Sequence, residues 1–198
     1  WLLLPEQGVE KNEGALHRVF GCWPFPFMGG YLMRSFDVGK TWEGPILPPQ
    51  LEEQGTYFPG VPIPAMNRGA MIQGSDGRLY WAVATSPKGN LGQSKLNLLV
   101  SDTFGEEWEH LSEIAADDEV EFNETSVIET AGGDLVAFVR TANFEDHGVV
   151  VRSRDRGQSW APWTDMGVIG HPYHALRLPD DRVYLSYGYR HEPYGIRA

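Results

Sequence analysis

Arg140 closes the run Leu135-Val136-Ala137-Phe138-Val139. A guanidinium at the end of so apolar a strand needs a reason, because charged side chains are rarely buried without a partner. Two uses stay open, a structural ion pair or a functional contact. Glu124 ends the acidic stretch Asp117–Glu124 and is either a solvated loop acid or a working carboxylate. His171, His174 and His191 form a loose cluster around one hairpin. Such residues can ligate a metal, but strand neighbours three apart face opposite sides, and no Cys or Asp completes a set. The favoured reading puts His171 and His174 at the start of an inner strand, lining a central face where they can meet a ligand hydroxyl. Arg68, just before Gly69–Gln73, takes the equivalent place in an earlier unit, and Asp146 and His147 sit in a hairpin loop that can rim a pocket. Trp23, Phe25 and Phe27 make an aromatic loop able to stack on a ring, whereas the remaining aromatics read as packing.

These residues are carried by a repeat. Ser35-Phe36-Asp37-Val38-Gly39-Lys40-Thr41-Trp42 returns as Ser153-Arg154-Asp155-Arg156-Gly157-Gln158-Ser159-Trp160. A degenerate copy, Ser101 to Trp108, has Thr103 in the Asp position and Glu107 in the Thr position. Starts are 66 and then 52 residues apart. Between the boxes lie hairpin signals: Ser75-Asp76-Gly77, Gly132-Gly133-Asp134 and Pro179-Asp180-Asp181, each flanked by alternating apolar runs. Each unit therefore reads as a hairpin, a third strand running into the box, and a fourth strand, and four strands in ~50 residues is the size of one propeller blade. The box explains itself: Asp and Ser side chains accept hydrogen bonds from their own turn, Gly supplies positive φ, and Trp packs beside the next blade. Asp37 and Asp155 are accordingly structural, not catalytic. The pattern predicts no long helix, although Leu111–Asp118 would also suit a single helical turn.

The chain has 198 residues, 41% of them hydrophobic and 12% aromatic, so it can bury a core. Twenty-three Gly and fourteen Pro fit many turns between short strands. A net charge of −11 disfavours nucleic acid and anionic membrane surfaces as partners but leaves room for an anionic ligand in a locally basic pocket. No apolar run approaches a membrane span. Cys22 is the single cysteine, which rules out an internal disulfide, and it reads as a small buried hydrophobe. The expectation is one all-β domain over residues 1–198, a partial β-propeller with two complete blades and two partial ones. A half ring leaves bare strand edges, so the chain is expected either to be part of a longer one or to complete itself as a homo-oligomer.

The alternation of boxes with Asp-Gly-type hairpins resembles the sialidase superfamily, the BNR or Asp-box propellers, over nearly the whole chain. That resemblance implies a six-bladed propeller, of which three to four blades are present here. A closer likeness lies at Asn123-Glu124-Thr125-Ser126-Val127-Ile128-Glu129, followed by a hairpin that ends at Val139-Arg140. By this match Glu124 would be the partner of a tyrosine nucleophile and Arg140 one of three arginines clamping a substrate carboxylate. The segment Tyr187 to Arg197 resembles the stretch that carries another clamp, with Arg190 the first candidate and Arg197 the second. A phenol is a weak nucleophile at its ordinary pKa, so a carboxylate base beside it makes chemical sense. The implied activity is exo-sialidase-like hydrolysis releasing a terminal acidic sugar, the partner a sialoside or another acidic glycan. The alternatives are a glycosidase or lyase on a non-sialic sugar and a non-catalytic propeller binding glycan or protein. Arg68, His171 and His174 would add substrate contacts. The family's Arg-Ile-Pro-type motif is absent, the acid/base Asp has no placed counterpart, and the nucleophilic tyrosine is expected beyond Ala198. No cofactor is implied and no calcium loop is visible. The likeness favours an extracellular or periplasmic setting.

Overall fold

The computed structural model describes residues 32–49, 51, 56–57, 61–62, 70–85 and 94–198. Cys22, Trp23, Phe25, Phe27 and Arg68 lie outside the described residues. The described elements are all strands: β1 (Leu32–Arg34), β2 (Glu43–Ile46), β3 (Thr56–Tyr57), β4 (Val61–Pro62), β5 (Ile72–Gln73), β6 (Leu79–Thr85), β7 (Lys95–Ser101), β8 (Glu109–Ala115), β9 (Phe122–Glu129), β10 (Leu135–Thr141), β11 (His147–Ser153), β12 (Thr164–Ile169), β13 (Tyr173–Arg177), β14 (Val183–Tyr189) and β15 (Gly195–Arg197).

They pair as sequential antiparallel meanders. β5-β6-β7-β8 and β9-β10-β11-β12 are four-stranded, β13-β14-β15 is three-stranded, and β1-β2 and β3-β4 are two-stranded. The first three are successive blades. β9 packs against β6, the second strand of the preceding blade, on one side and against β13, the first strand of the following blade, on the other. The expected partial propeller is thus the fold. Leu111–Asp118 makes no helical turn; its first part is β8, drawn into extended form by pairing with β7, with register shifts at Leu96/Asn97 and Leu98/Leu99.

Burial follows position in the stack. β6 and β7 are buried along nearly their whole lengths, as befits a blade covered on both faces. β10 alternates: Leu135, Ala137, Val139 and Thr141 are buried, while Val136, Phe138 and Arg140 are half-buried. Its buried face joins Tyr80, Leu96, Leu98 and Phe122 in one apolar cluster that spans two blades. The half-buried face looks toward β13, where Ser126 Oγ accepts a hydrogen bond from the Ala175 amide at 3.0 Å.

The boxes close the turns between third and fourth strands as their chemistry requires. Ser153 Oγ accepts from the Gly157 amide at 2.7 Å, and Asp155 Oδ1 accepts from the Ser159 amide at 2.9 Å. Ser35 and Asp37 repeat the pattern at 2.8 Å each. The degenerate copy keeps it because the Thr103 hydroxyl replaces the carboxylate and accepts from the Glu107 amide at 2.8 Å. Gly157 sits at φ +86°, and a Cβ there would run into Leu98 of the preceding blade, so glycine is needed for both backbone shape and blade contact. The tryptophans divide. Trp42 and Trp108 donate back to their own box glycines, each at 3.1 Å, whereas Trp160 donates to Ser112 Oγ on β8, at 3.1 Å. The bridging Trp therefore reaches the preceding blade, not the following one as the sequence suggests.

A second junction forms at the hairpin turns. Asp76 accepts from Tyr80 Oη at 2.7 Å and Arg78 Nε at 2.8 Å, and Arg156 of the next blade's box lies 3.4 Å away. Burial alone would raise the Asp76 carboxyl, but the hydrogen bonds from Tyr80 and Arg78 outweigh it and hold it at about 2. Asp155 is held at about 2 by Ser159 and Ser153, and Asp37 at about 2 by the Thr41 amide and hydroxyl. Groups whose folded pKa lies below the unfolded value of about 4 contribute stability that is complete above that value and is lost as they take up protons. Unfolding midpoints are therefore expected to stay level down to pH of about 4 and fall steeply toward pH of about 2. Asn in place of both Asp76 and Asp155 is expected to flatten that decline in thermal melts.

Candidate active site

A meander blade sends its odd turns to one end and its even connections to the other. The hairpin turns at 75–77, 132–134 and 179–181 and the Asp boxes collect at one end of the stack. The connections at 116–121, 142–146, 170–172 and 190–194 collect at the other. Glu124 near the start of β9, Arg140 near the end of β10, His171 before β13 and Arg190 after β14 all belong to this second end.

Local pairing brings the first two together. Thr125 pairs with Val139 and Phe122 with Thr141, so Asn123 and Glu124 together oppose Arg140 across a bulge. Glu124 Oε2 accepts from Arg140 Nη1 at 2.7 Å, with the Glu124 side chain 8% exposed and that of Arg140 23% exposed. The two readings of Arg140, ion pair or functional contact, are thus not exclusive. One guanidinium nitrogen holds Glu124, while Nε is enclosed and finds no hydrogen-bond partner among the described residues.

His171 is 5% exposed and completes the cluster. Its amide donates to Gly188 O at 2.9 Å, tying the start of β13 to β14. Burial, followed by the positive charges of Arg140 and Arg190, pushes its imidazole below the ordinary value against the pull of Asp146 and Glu124. The ring is therefore neutral at physiological pH. Its Nδ1 is also enclosed, lies 3.4 Å from Asp146 Oδ1 outside hydrogen-bond geometry, and makes no hydrogen bond among the described residues. Two buried donor-capable nitrogens without acceptors in one place is unusual, since buried polar groups are nearly always satisfied.

Asp146 is a site residue that the sequence left unplaced. It adopts φ +61° in the β10–β11 hairpin, its carbonyl accepts from the Gly170 amide at 2.9 Å, and its carboxylate lies between His171 and His191 Nε2, the latter at 3.1 Å. No spacing rule links residues 146, 171 and 191; only the juxtaposition of two blades does. Gly148, opposite Arg140 in β11, leaves room for the Tyr173 ring, which a Cβ there would strike.

The other candidates lie elsewhere. His174 is exposed on β13 and, with Arg177, Glu129, Val127 and Gln73, lines a groove running toward the hairpin end. Arg197 lies on the exposed strand β15 with its guanidinium 3.3 Å from the Tyr189 ring centroid, a cation–π stack. Among the described residues no three His, Cys, Asp or Glu side chains converge as metal ligands.

Residues 18–197 match the BNR repeat-like domain. The chain belongs to the BNR repeat-like family. A solved protein of unknown function from Dyadobacter fermentans is similar to it at 48% identity with a TM-score of 0.83, over 87% of this chain and 48% of that one. The BNR chain described here thus spans about half the length of that relative. The NanB sialidase of Streptococcus pneumoniae is similar at 22% identity and TM-score 0.56, over 79% of this chain and 23% of that one. An α-L-arabinanase of Penicillium chrysogenum is similar at 19% identity and TM-score 0.60, over 85% and 53%. At such identities these two share the fold with the BNR chain and no more. No curated protein matches the chain.

Proposed function

We propose that this chain carries part of the substrate site of a glycan-cleaving propeller specific for an acidic sugar, working in the manner of an exo-sialidase. Arg140 and Arg190 face the substrate carboxylate, and Glu124 is the base that activates a tyrosine nucleophile. His171 accepts a hydrogen bond from a sugar hydroxyl. The observation that carries this reading is the enclosed, unpartnered Arg140 Nε beside the buried Glu124–Arg140 pair. The Arg140 side chain is 23% exposed, so an anionic oxygen can reach the open part of the guanidinium beside that donor, where charge-assisted hydrogen bonds are strong. A uronic acid presents the same carboxylate as a sialic acid, so a glycosidase or lyase on such a sugar would use the same contacts.

Calorimetric titration of the whole protein with N-acetylneuraminic acid, glucuronic acid and glucose checks the reading. Binding of one or both acids and not of glucose is expected. Arg140→Lys keeps the charge but loses the planar fork, and is expected to weaken that binding about tenfold or more. Equal affinity for glucose and the acids, or an Arg140→Lys variant that binds like the parent, would overturn the carboxylate assignment. The better ligand of the two acids decides between a sialic and a uronic substrate.

A further inference from the structure

Glu121 shares a strand face with Glu124 although the two lie three residues apart. In a regular strand such residues point to opposite sides. Here the bulge opposite Arg140 resets the alternation. Phe122 pairs with Thr141 and falls on the buried face of Thr125 and Val139, so its predecessor Glu121 falls on the face of Arg140, Glu124 and Ser126. The backbone is locked in that register: the Ala142 amide donates to Glu121 O at 2.9 Å, and the Glu121 amide donates to Asn143 Oδ1 at 2.7 Å. Two carboxyl groups thus flank one guanidinium, with backbone positions roughly 10 Å apart along the strand at a rise of about 3.3 Å per residue.

Their surroundings differ. Glu124 is bonded to Arg140. Glu121 is half-buried, and among the described residues its side chain makes no such bond; burial pushes its carboxyl above the ordinary range, only partly offset by Arg140. A carboxyl whose charged form is disfavoured by burial can hold a proton ready to donate. The enclosed His171 Nδ1 and Arg140 Nε independently mark this end of the blades as a ligand site.

We propose that Glu121 is the general acid/base of this site, donating its proton to the glycosidic oxygen of the bound acidic sugar. As the tyrosine oxygen gives its proton to Glu124 and bonds to the anomeric carbon, the bond from that carbon to the glycosidic oxygen breaks, and the departing oxygen keeps the electron pair and takes the proton of Glu121. Water then attacks the anomeric carbon and gives its proton to Glu121, while the tyrosine oxygen leaves with its bonding pair and recovers its proton from Glu124, so that all three residues end unchanged. The assignment rests on the acidic-sugar reading above.

The test uses the whole protein with two glycosides of the acid that binds better, one with a nitrophenyl and one with an alkyl leaving group. In kcat/KM, which reports the step that breaks the glycosidic bond, Glu121→Gln is expected to slow the alkyl glycoside by about a hundredfold or more and to spare the nitrophenyl glycoside, whose leaving group needs no proton, with the acid's binding unchanged. The parent's activity should fall as pH rises past the Glu121 pKa, and the variant should lose that alkaline limb. Equal slowing on both glycosides, no slowing on either, or an unsaturated elimination product would overturn the role of Glu121. Absence of cleavage by the parent with acid binding intact would overturn it too and leave the binding reading standing. Absence of acid binding would remove both.

Discussion

Arg140→Ala is expected to be among the most destabilising single changes at the site end of the chain. Glu124 accepts from Arg140 at 2.7 Å with its side chain only 8% exposed. Truncation leaves a carboxylate desolvated and without its cation, and breaking such a pair costs about 3 kcal/mol, reduced here by the partial exposure of Arg140. For a domain of this size the unfolding midpoint should drop by roughly 5–10 °C. The cost is chiefly that of a desolvated carboxylate deprived of this cation. Arg140→Met combined with Glu124→Leu should therefore recover much of the stability while still failing to bind an acidic sugar. A double-mutant cycle measured by thermal unfolding checks this. If the double variant is as unstable as the sum of the two single ones, the pair is not an energetic unit. Recovery of stability without recovery of binding would separate the structural share of Arg140 from its share in recognition.

Phe122→Ala is expected to cost more, about 3–5 kcal/mol. The ring is 0% exposed, lies edge-on to Trp163 with centroids 6.1 Å apart, and belongs to the cluster shared by two blades. Its backbone is held as well: the Phe122 amide donates to Ser94 O at 3.4 Å, and the Ser94 hydroxyl donates to Phe122 O. Phe122 is the anchor that fixes the register on the far side of the bulge. Removing it frees the strand segment that orients Glu121 and Glu124, so acidic-sugar binding should weaken along with stability. Phe122→Leu keeps most of the volume and should cost under about 1.5 kcal/mol. Denaturant titration reads the difference: the midpoint should shift with the slope unchanged. A Phe122→Ala variant with a parental midpoint would mean that the two blades are not packed through this ring.

Much of this protein was legible before any coordinate. The box repeat works through bonds among residues two to four apart, so its turns form wherever the sequence is written, even where Thr103 stands for Asp. The hairpins are equally local, since Asp76-Gly77 and Gly133-Asp134 carry the turn chemistry by themselves. Period-two alternation sets which residues of β10 are buried, and that alternation makes Arg140 conspicuous. Family likeness then pointed to Glu124, which nothing local singles out from its acidic neighbours.

Tertiary structure decided the rest. Pairing of β9 with β10 places a bulge opposite Arg140, and one extra residue there turns Glu121 from the far face to the near one, which no count along the sequence foretells. Juxtaposition of two blades sets Asp146 between His171 and His191 and puts Arg190 close enough to act on the imidazole. It also separates His171 from His174, sealing one and leaving the other in an open groove, and turns Arg197 onto Tyr189. The physical reason is range: turns and strand faces depend on neighbours a few residues away, whereas burial, register and the charges acting on a side chain depend on which strand comes to lie beside it.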